Sequence, residues 1–121
     1  MSIEFYKVNN FFVFDYIYNN EISSRIECSK TYDEKGIDLF SIFTNFEYRG
    51  KGFATILLNS LIYYCYENNY KYILTDDVTE REPPNNIYYK FDFKVKDPFN
   101  NKWVIWKEGM KVDEERRLDL I

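Results

Sequence analysis

An extended segment, a glycine turn and a long helix follow one another in the middle of this chain. The segment from Ile37 to Thr44 is apolar and precedes a turn that contains Gly50 and Gly52. Apolar residues then recur with helical spacing, at Ala54, Leu57, Leu58, Leu61, Ile62 and Cys65. Such a helix must bury its apolar face against another layer. We therefore predict a mixed α+β fold with this helix packed on a sheet.

The glycine turn has the composition of an anion site. Glycine lets the backbone approach a ligand closely, where a Cβ would obstruct it. The following helix directs unpaired N–H groups and the positive end of its dipole toward the turn. Arg49 and Lys51 add positive charge, and the turn contains no acidic residue. We predict that it binds a phosphate or pyrophosphate.

Two common phosphate-binding patterns fail to describe the turn. A Walker loop requires serine or threonine after its lysine, whereas Gly52 follows Lys51. A dinucleotide fingerprint that starts at Gly50 requires a third glycine where Thr55 stands, and predicted strands rather than a βαβ unit precede it. A different class of phosphate ligand is therefore indicated.

The turn resembles the pyrophosphate loop of the GNAT superfamily of acyl-CoA N-acyltransferases. Residues Arg49 to Ala54 fit its pattern: arginine or glutamine, two variable positions, glycine, one variable position, then glycine or alanine. Downstream, Arg81 to Phe93 is similar to the later motif of the family. The two motifs stand in the order and at about the separation typical of the superfamily, and the resemblance covers roughly Phe11 to Trp106.

The later motif contains both matches and departures. Tyr88, Lys90 and Phe93 match its tyrosine, its basic residue and its final aromatic residue. The departures from the usual asparagine, alanine and glycine are Arg81, Pro84 and Asp92. The resemblance implies that Tyr88, rather than the neighbouring Tyr89, hydrogen-bonds the leaving sulfur and protonates it.

The resemblance implies one domain, residues 1–121, with a mostly antiparallel twisted sheet of six to seven strands, a central helix and a short second helix. We predict strands over Phe11–Tyr18, Arg25–Tyr32, Ile37–Thr44, Lys71–Asp77, Phe93–Lys96 and Lys102–Lys107, a second helix over Asn85–Phe91, and a possible extra strand over Ile3–Val8. In the predicted strand Arg25–Tyr32, alternation places Ile26, Cys28 and Tyr32 on one face. The segment 113–121 is expected to be a charged tail.

The superfamily inserts two helices after its first strand, and these helices help to form the acceptor site. The chain before Phe11 has no room for them. The chain thus resembles a minimal member of the superfamily, and we expect an acceptor side that is open or completed by a partner subunit.

The cofactor implied by the resemblance is acetyl-CoA, which leaves as coenzyme A. The family pattern places its pyrophosphate at the glycine turn and its thioester against backbone N–H groups near Ile42 and Thr44, where the sheet splays. The implied cofactor-binding residues are Ile42, Phe43, Thr44, Arg49, Gly50, Lys51, Gly52, Phe53, Ala54 and Thr55.

A general base must deprotonate the acceptor amine before it attacks the thioester. Asp38 is the candidate, because histone-type members have a strand carboxylate at this separation from the loop. Asp76 and Asp77 are the alternative, either as base or as an ammonium-binding pair, although neighbouring strand residues point to opposite faces. A solvated turn residue is the other interpretation of Asp38.

Composition narrows the remaining classes. The chain has no histidine, which excludes histidine-based triads and most zinc sites, so no metal is expected. A net charge of −4 opposes nucleic-acid binding despite 21% aromatic residues, and it favours a cationic acceptor. No apolar run is long enough for a membrane span. Cys28 and Cys65 read as reduced core thiols, which favours a cytoplasmic location.

Two functions follow from these patterns. The first is an acetyl-CoA-dependent N-acetyltransferase acting on a primary amine of a small molecule, peptide or protein lysine. The alternative is a non-catalytic acyl-CoA-binding or protein-interaction module with the same fold. Exposed aromatic residues on a strand surface make a homodimer plausible in either case.

Overall fold

The computed structural model describes residues 2–76, 86–97, 99–100 and 102–110. Seven strands form one sheet in the order β1-β2-β3-β4-β5-β7-β6. Their bounds are β1 Ser2–Val8, β2 Phe11–Tyr18, β3 Glu21–Lys30, β4 Gly36–Thr44, β5 Tyr72–Asp76, β6 Lys94–Asp97 and β7 Lys102–Trp106. The helices are α1 Phe53–Glu67 and α2 Ile87–Lys90. All neighbouring strands are antiparallel except β4 and β5, and this confirms the predicted mixed fold.

The hydrophobic core lies between α1 and one face of the sheet, called here the helix face. Its fully buried sheet residues include Ile3, Phe12, Phe14, Tyr16, Ile26, Ile37, Leu39 and Ile73. The helix contributes Leu57, Leu58, Leu61, Ile62 and Cys65, all with no exposed surface. Each buried aliphatic side chain contributes about 1.5–3 kcal/mol relative to an exposed one. The helical periodicity in the sequence therefore identified the core-facing side of α1 correctly.

Both cysteines are buried, unpaired thiols in this core. Burial, together with the charge of Asp38, raises the pKa of Cys28 to about 12. The pKa of Cys65 is also raised well above its ordinary value, chiefly by burial. Neither thiol is therefore a nucleophile at neutral pH, in agreement with the prediction of reduced core cysteines.

Asparagine takes over conformations that glycine usually adopts. In the β2–β3 hairpin the two loop residues, Asn19 and Asn20, have φ of 54° and 62°, as a two-residue type I′ turn requires. After α1, Asn69 has φ 61°, and the N–H of Tyr70 donates to the carbonyl oxygen of Cys65. Asparagine tolerates this left-handed region better than most residues. Asn19 and Asn20 therefore follow β2 at its predicted end, Tyr18, and Asn68 and Asn69 follow the end of α1.

The same helix-ending geometry explains the unusual Asp92. Asp92 has φ 65° and follows α2, and its N–H donates to the carbonyl oxygen of Tyr89. The N–H of Phe93 donates to the carbonyl oxygen of Tyr88, and the two rings lie 5.5 Å apart. These are the bonds and the apolar contact of a Schellman motif, whose left-handed position favours glycine. Aspartate therefore stands where the family motif has glycine, in a left-handed conformation that glycine adopts readily.

Two element predictions differ from the structure by more than one residue at an end. The predicted strand Arg25–Tyr32 corresponds to β3, which spans Glu21–Lys30. Tyr32 lies beyond its end and is fully exposed rather than on the buried face. The strand ends earlier because Thr31, Asp33 and Gly36 form a hydrogen-bonded loop. The second helix begins at Ile87, since the Asn86 side chain caps it by accepting from the N–H of Tyr88 and of Tyr89. Residues 77–85, which include Asp77, Arg81 and Pro84, and the predicted tail lie outside the described residues.

The face of the sheet directed away from α1 is called here the open face. Large side chains on it are exposed, namely Tyr6, Phe11, Phe40, Phe43 and Trp106. β1 connects to β2 through Asn9 and Asn10 alone, so no helices intervene between these two strands. The part of the chain that the structure describes thus leaves this face uncovered. None of its helices is both long and apolar enough to cross a membrane.

The hairpin turn between β2 and β3 gives a direct test of the role of asparagine. Asn20→Ala should lower the free energy of unfolding by about 1 kcal/mol, because a left-handed backbone conformation is less favourable for alanine than for asparagine. Asn20→Gly is the matched control and should not lower it. Urea unfolding followed by circular dichroism measures both, and equal losses in the two variants would contradict the turn assignment.

Candidate functional site

The parallel pairing of β4 with β5 is short and ends in a gap. Gly36 to Leu39 pair with Tyr72 to Thr75, and β4 then runs on to Thr44 with β3 as its partner. At the end of the pairing the Thr75 hydroxyl donates to the carbonyl oxygen of Leu39 across 3.0 Å. We call the space between residues 40–44 and the end of β5 the β4–β5 gap. It leaves one edge of β4 without a strand partner among the described residues.

A β-bulge lies at the start of the gap. Leu39 pairs with Cys28 and Ser41 with Glu27, so Phe40 is an extra residue without a counterpart on β3. A bulge bends its strand and increases the local twist. The bend explains why β4 leaves β5 at this position while it stays paired with β3.

The backbone donors at the gap can be identified from the pairing with β3. The N–H of Asn45 donates to the carbonyl oxygen of Ser23, toward β3. Because N–H groups of successive strand residues alternate in direction, that of Phe43 also faces β3. Those of Ile42 and Thr44 face the gap. Two of the three predicted strand positions thus present backbone donors there, and Phe43 does not.

The glycine turn lies between a short 3-10 helix, Phe46–Tyr48, and the start of α1. Gly50 and Gly52 have φ of 80° and 85°, and a Cβ built on either would meet no atom within 4 Å. The positive φ explains why glycine is needed, and the open space leaves room for a ligand. The first turn of α1 contains no acidic residue.

The first backbone N–H groups of α1 complete this anion site. They belong to the predicted residues Phe53, Ala54 and Thr55, which have no preceding helical turn to accept their hydrogen bonds. The first such bond of the helix runs from Ile56 to the carbonyl oxygen of Gly52. Lys51 is exposed beside them. The turn therefore fits a pyrophosphate group by its backbone donors, its charge and its open space.

An aromatic cluster between the start of α1 and the sheet holds the glycine turn in place. Phe53 stacks on Tyr16 with ring centroids 4.4 Å apart and also contacts Tyr18 and Tyr48. The Tyr48 hydroxyl donates to the Glu21 carboxylate. Sequence analysis assigned Phe53 to cofactor binding only, whereas its buried ring anchors the start of α1 to β2. No pattern in the sequence pointed to Tyr48 or Glu21.

Arg49 lies at the mouth of the gap rather than free in the turn. Its Nε donates to the carbonyl oxygen of Thr44 across 2.9 Å. Its guanidinium also lies over the rings of Phe43 and Phe46, at 5.9 and 5.7 Å from their centroids, distances typical of cation–π contacts. Arg49 therefore joins the end of β4 to the turn and leaves its positive charge beside the predicted cofactor site.

Asp38 faces the open face at the base of the gap. Its pairing partner on β5 is Leu74, and Asp76 follows two residues later on the same face. Asp38 is exposed to solvent but partly desolvated by its surroundings, and this partial burial raises its pKa. Nearby Lys102 lowers the pKa, and Asp76 raises it. A carboxylate with a raised pKa is a better proton acceptor near neutral pH.

Asp76 is the member of the alternative pair that the structure describes. Its Oδ1 lies 2.7 Å from Nζ of Lys102, so it is already ion-paired. Sequence analysis missed Lys102, because β5 and β7 are far apart in the chain and become neighbours only in the sheet. Thr75, at the end of the β4–β5 pairing, carried no sequence signal either.

Tyr88 is 5% exposed and belongs to the core cluster beside Phe93. Its neighbour Tyr89 is 52% exposed. The capped α2 thus directs Tyr88 inward and Tyr89 outward, which separates the two candidates as the motif did. The role of Tyr88 at the sulfur remains a prediction.

Known proteins match this arrangement. The sequence model of the acetyltransferase (GNAT) family matches residues 2–93. Comparison with curated proteins finds no match to the chain. Among solved structures, the ribosomal-protein-S18-alanine N-acetyltransferase from Escherichia coli is similar with a TM-score of 0.71 and 12% identity, over 89% of this chain and 75% of the other.

Two further structures have the same fold. An N-acetyltransferase from Staphylococcus aureus Mu50 is similar with a TM-score of 0.69 and 19% identity, over 82% of this chain and 69% of the other. The PaiA N-acetyltransferase from Thermoplasma acidophilum, solved in complex with coenzyme A, has a TM-score of 0.65 and 16% identity, over 78% and 58%. The family match covers most of the chain, and the strand, gap and glycine turn agree with it. The chain therefore belongs to the acetyltransferase (GNAT) family and is, as a member of it, an acyltransferase.

Proposed function

We propose that this chain is an acetyl-CoA-dependent N-acetyltransferase that transfers an acetyl group to a primary amine of a small molecule, peptide or protein lysine. The observation that carries the proposal is the β4–β5 gap, which has backbone donors along one side and the glycine turn at its mouth. Acetyl-CoA would supply the acetyl group as a thioester. The structure of the PaiA relative with coenzyme A supports this choice of donor.

The residues that would hold acetyl-CoA follow from this geometry. Gly50 to Thr55 would bind the pyrophosphate through backbone N–H groups and the charge of Lys51. The N–H groups of Ile42 and Thr44 would donate to the pantetheine and to the thioester oxygen, which gains negative charge during attack. Arg49 would add its charge at the mouth of the gap.

The acceptor would approach from the open face, where Asp38 lies. An ammonium group must lose a proton before its nitrogen can attack, and Asp38 would accept this proton, directly or through water. The nitrogen then forms a bond to the thioester carbon, and the C–S bond breaks. Tyr88 would supply a proton to the departing thiolate, and the proton that the new amide nitrogen loses would restore the tyrosine. The net charge of −4 favours a cationic acceptor.

The family match makes this chain an acyltransferase, which is against the alternative of a non-catalytic acyl-CoA-binding module. The substitutions below test the proposed catalytic residues.

Thermal unfolding with and without acetyl-CoA tests the cofactor. At one hundred times its dissociation constant, a ligand adds about 2.7 kcal/mol to the stability of the folded state. For a domain of this size the midpoint should rise by several degrees. ADP and free pantetheine, each at the same concentration, are the controls and should give smaller shifts. No shift with acetyl-CoA would contradict the proposed function.

Asp38→Asn tests the general base. The substitution should lower kcat about 100-fold or more without changing the affinity for acetyl-CoA, because the side chain faces the acceptor. Glu4→Gln removes another exposed carboxylate of the open face, on β1, and should leave the rate unchanged. Thiol release in the presence of an amine panel measures both.

The pH profile gives a second measure of the same residue. Asp38 acts as a base only when deprotonated, so kcat/KM should fall as the pH drops through its pKa. An ordinary aspartate has a pKa of about 3.9. Because burial raises the pKa of Asp38, the decrease in kcat/KM should occur at a higher pH than this. The decrease should be absent in the residual activity of Asp38→Asn. An unchanged profile would exclude Asp38 as the base.

Tyr88→Phe tests the proton donor. Phenylalanine keeps the ring that packs on Phe93, so folding and acetyl-CoA binding should persist while kcat falls by about 100-fold. Tyr89→Phe is the matched control, since Tyr89 is its exposed neighbour, and it should retain full activity. If Tyr88→Phe is as active as the control, the assignment of Tyr88 is wrong.

A further inference from the structure

A lysine at the base of the gap has no part in the reaction as described above. Lys102 begins β7 and lies opposite Asp76 in the β5–β7 pairing. Its Nζ contacts Oδ1 of Asp76 at 2.7 Å, and the two side chains are 47% and 53% exposed. An ion pair this exposed adds little to stability, so its position beside the proposed base is the more informative property.

Three charged groups meet at this point of the open face. Asp38 from β4 and Asp76 from β5 lie on the same face. Lys102 from β7 contacts Asp76 and interacts electrostatically with Asp38. A third carboxylate, Asp97 of β6, lies opposite Lys102 and accepts hydrogen bonds within its own loop. Asp38 is therefore the carboxylate left for an approaching ammonium group.

Lys102 acts on the proposed base as well as on Asp76. Burial raises the pKa of Asp38, Lys102 lowers it and Asp76 raises it. Among the described residues, the other titratable groups that interact with Asp38 or Lys102 are the neutral Cys28 thiol from β3 and Asp97 at the end of β6. Within the described residues, Lys102 is the cation that opposes the effect of burial on Asp38.

We propose that Lys102 is a positioning residue for the acceptor: it holds Asp76, leaves Asp38 for the incoming ammonium group, and so selects amines with a single positive charge near the reacting nitrogen. The inference rests on the proposed function, because it takes the open face at Asp38 as the acceptor side. A second cationic group on the acceptor would meet Lys102 and be repelled. Without Lys102, two carboxylates would be available to a dication.

The electrostatic part is tested without turnover, by carbon-13 NMR titration of the aspartate carboxyl groups. In Lys102→Met the pKa of Asp38 should rise, because the neighbouring cation is lost. Lys102→Arg should keep it near the wild-type value. Lys94→Met removes a different exposed lysine, which lies on β6 opposite Val104 of β7, and should leave the pKa of Asp38 unchanged. An unchanged pKa in Lys102→Met, or an equal rise in Lys94→Met, would overturn the proposal.

The selectivity part is tested by adding n-butylamine or 1,4-diaminobutane at neutral pH and following the Asp38 and Asp76 carboxyl signals. Lys102→Met should gain several-fold more affinity for the diamine than for the monoamine, whereas Lys102→Arg and Lys94→Met should keep the wild-type ratio. Equal gains, or signals that respond to neither amine, would overturn the selectivity.

Failure of the proposed function would be recognised separately. It would show as absent acetyl transfer or as an active Asp38→Asn variant, while both titrations require neither acetyl-CoA nor turnover. Failure of the inference would show in the titrations alone, with transfer intact.

Discussion

The limited pairing of β4 with β5 is the constraint on which the rest of this structure depends. Four residues of each strand pair in parallel, and the Thr75 hydroxyl forms the last link to Leu39. The bulge at Phe40 then turns β4 away while its pairing with β3 continues. If the pairing continued, the N–H groups of Ile42 and Thr44 would be used within the sheet. Because it stops, they face a gap whose mouth is the glycine turn and whose base holds Asp38.

The surroundings of the gap divide the work between two faces of the sheet. On the helix face, aromatic packing holds the start of α1 in place, so the backbone donors of the turn are fixed before any ligand arrives. On the open face, the Asp15 carboxylate is buried beneath Arg25, with a bidentate contact at 2.6 and 2.9 Å. The charges nearer the gap, those of Asp38, Asp76 and Lys102, remain accessible. Fixed backbone donors at the turn and accessible charges on the open face suit the proposed acetyl transfer to an amine.

The short connection between β1 and β2 explains the exposure of the open face. Two asparagines join these strands, where the family is expected to place two helices. Asparagine also performs glycine's role in the β2–β3 hairpin and after α1, and aspartate does so after α2. Short side chains that tolerate positive φ let a chain with four glycines make these turns. Asp92, which departs from the glycine of the family motif, therefore still adopts a conformation that favours glycine.

Local patterns in the sequence determined the elements, the core side of α1, the glycine turn and the family, because each depends on residues close together in the chain. The end of β3, the capped start of α2 and the exposure of Tyr32 were predicted less well, since side-chain hydrogen bonds from Thr31 and Asn86 decide them. Only the tertiary structure decided which N–H groups face the gap, that Arg49 contacts Thr44, and that Lys102 meets Asp76. The Arg49 contact spans five residues but depends on the path of the chain after β4. The Lys102 contact joins strands far apart in the sequence, and the direction of the N–H groups depends on which edge of β4 is paired. Sheet order and register set both, and no local pattern encodes them.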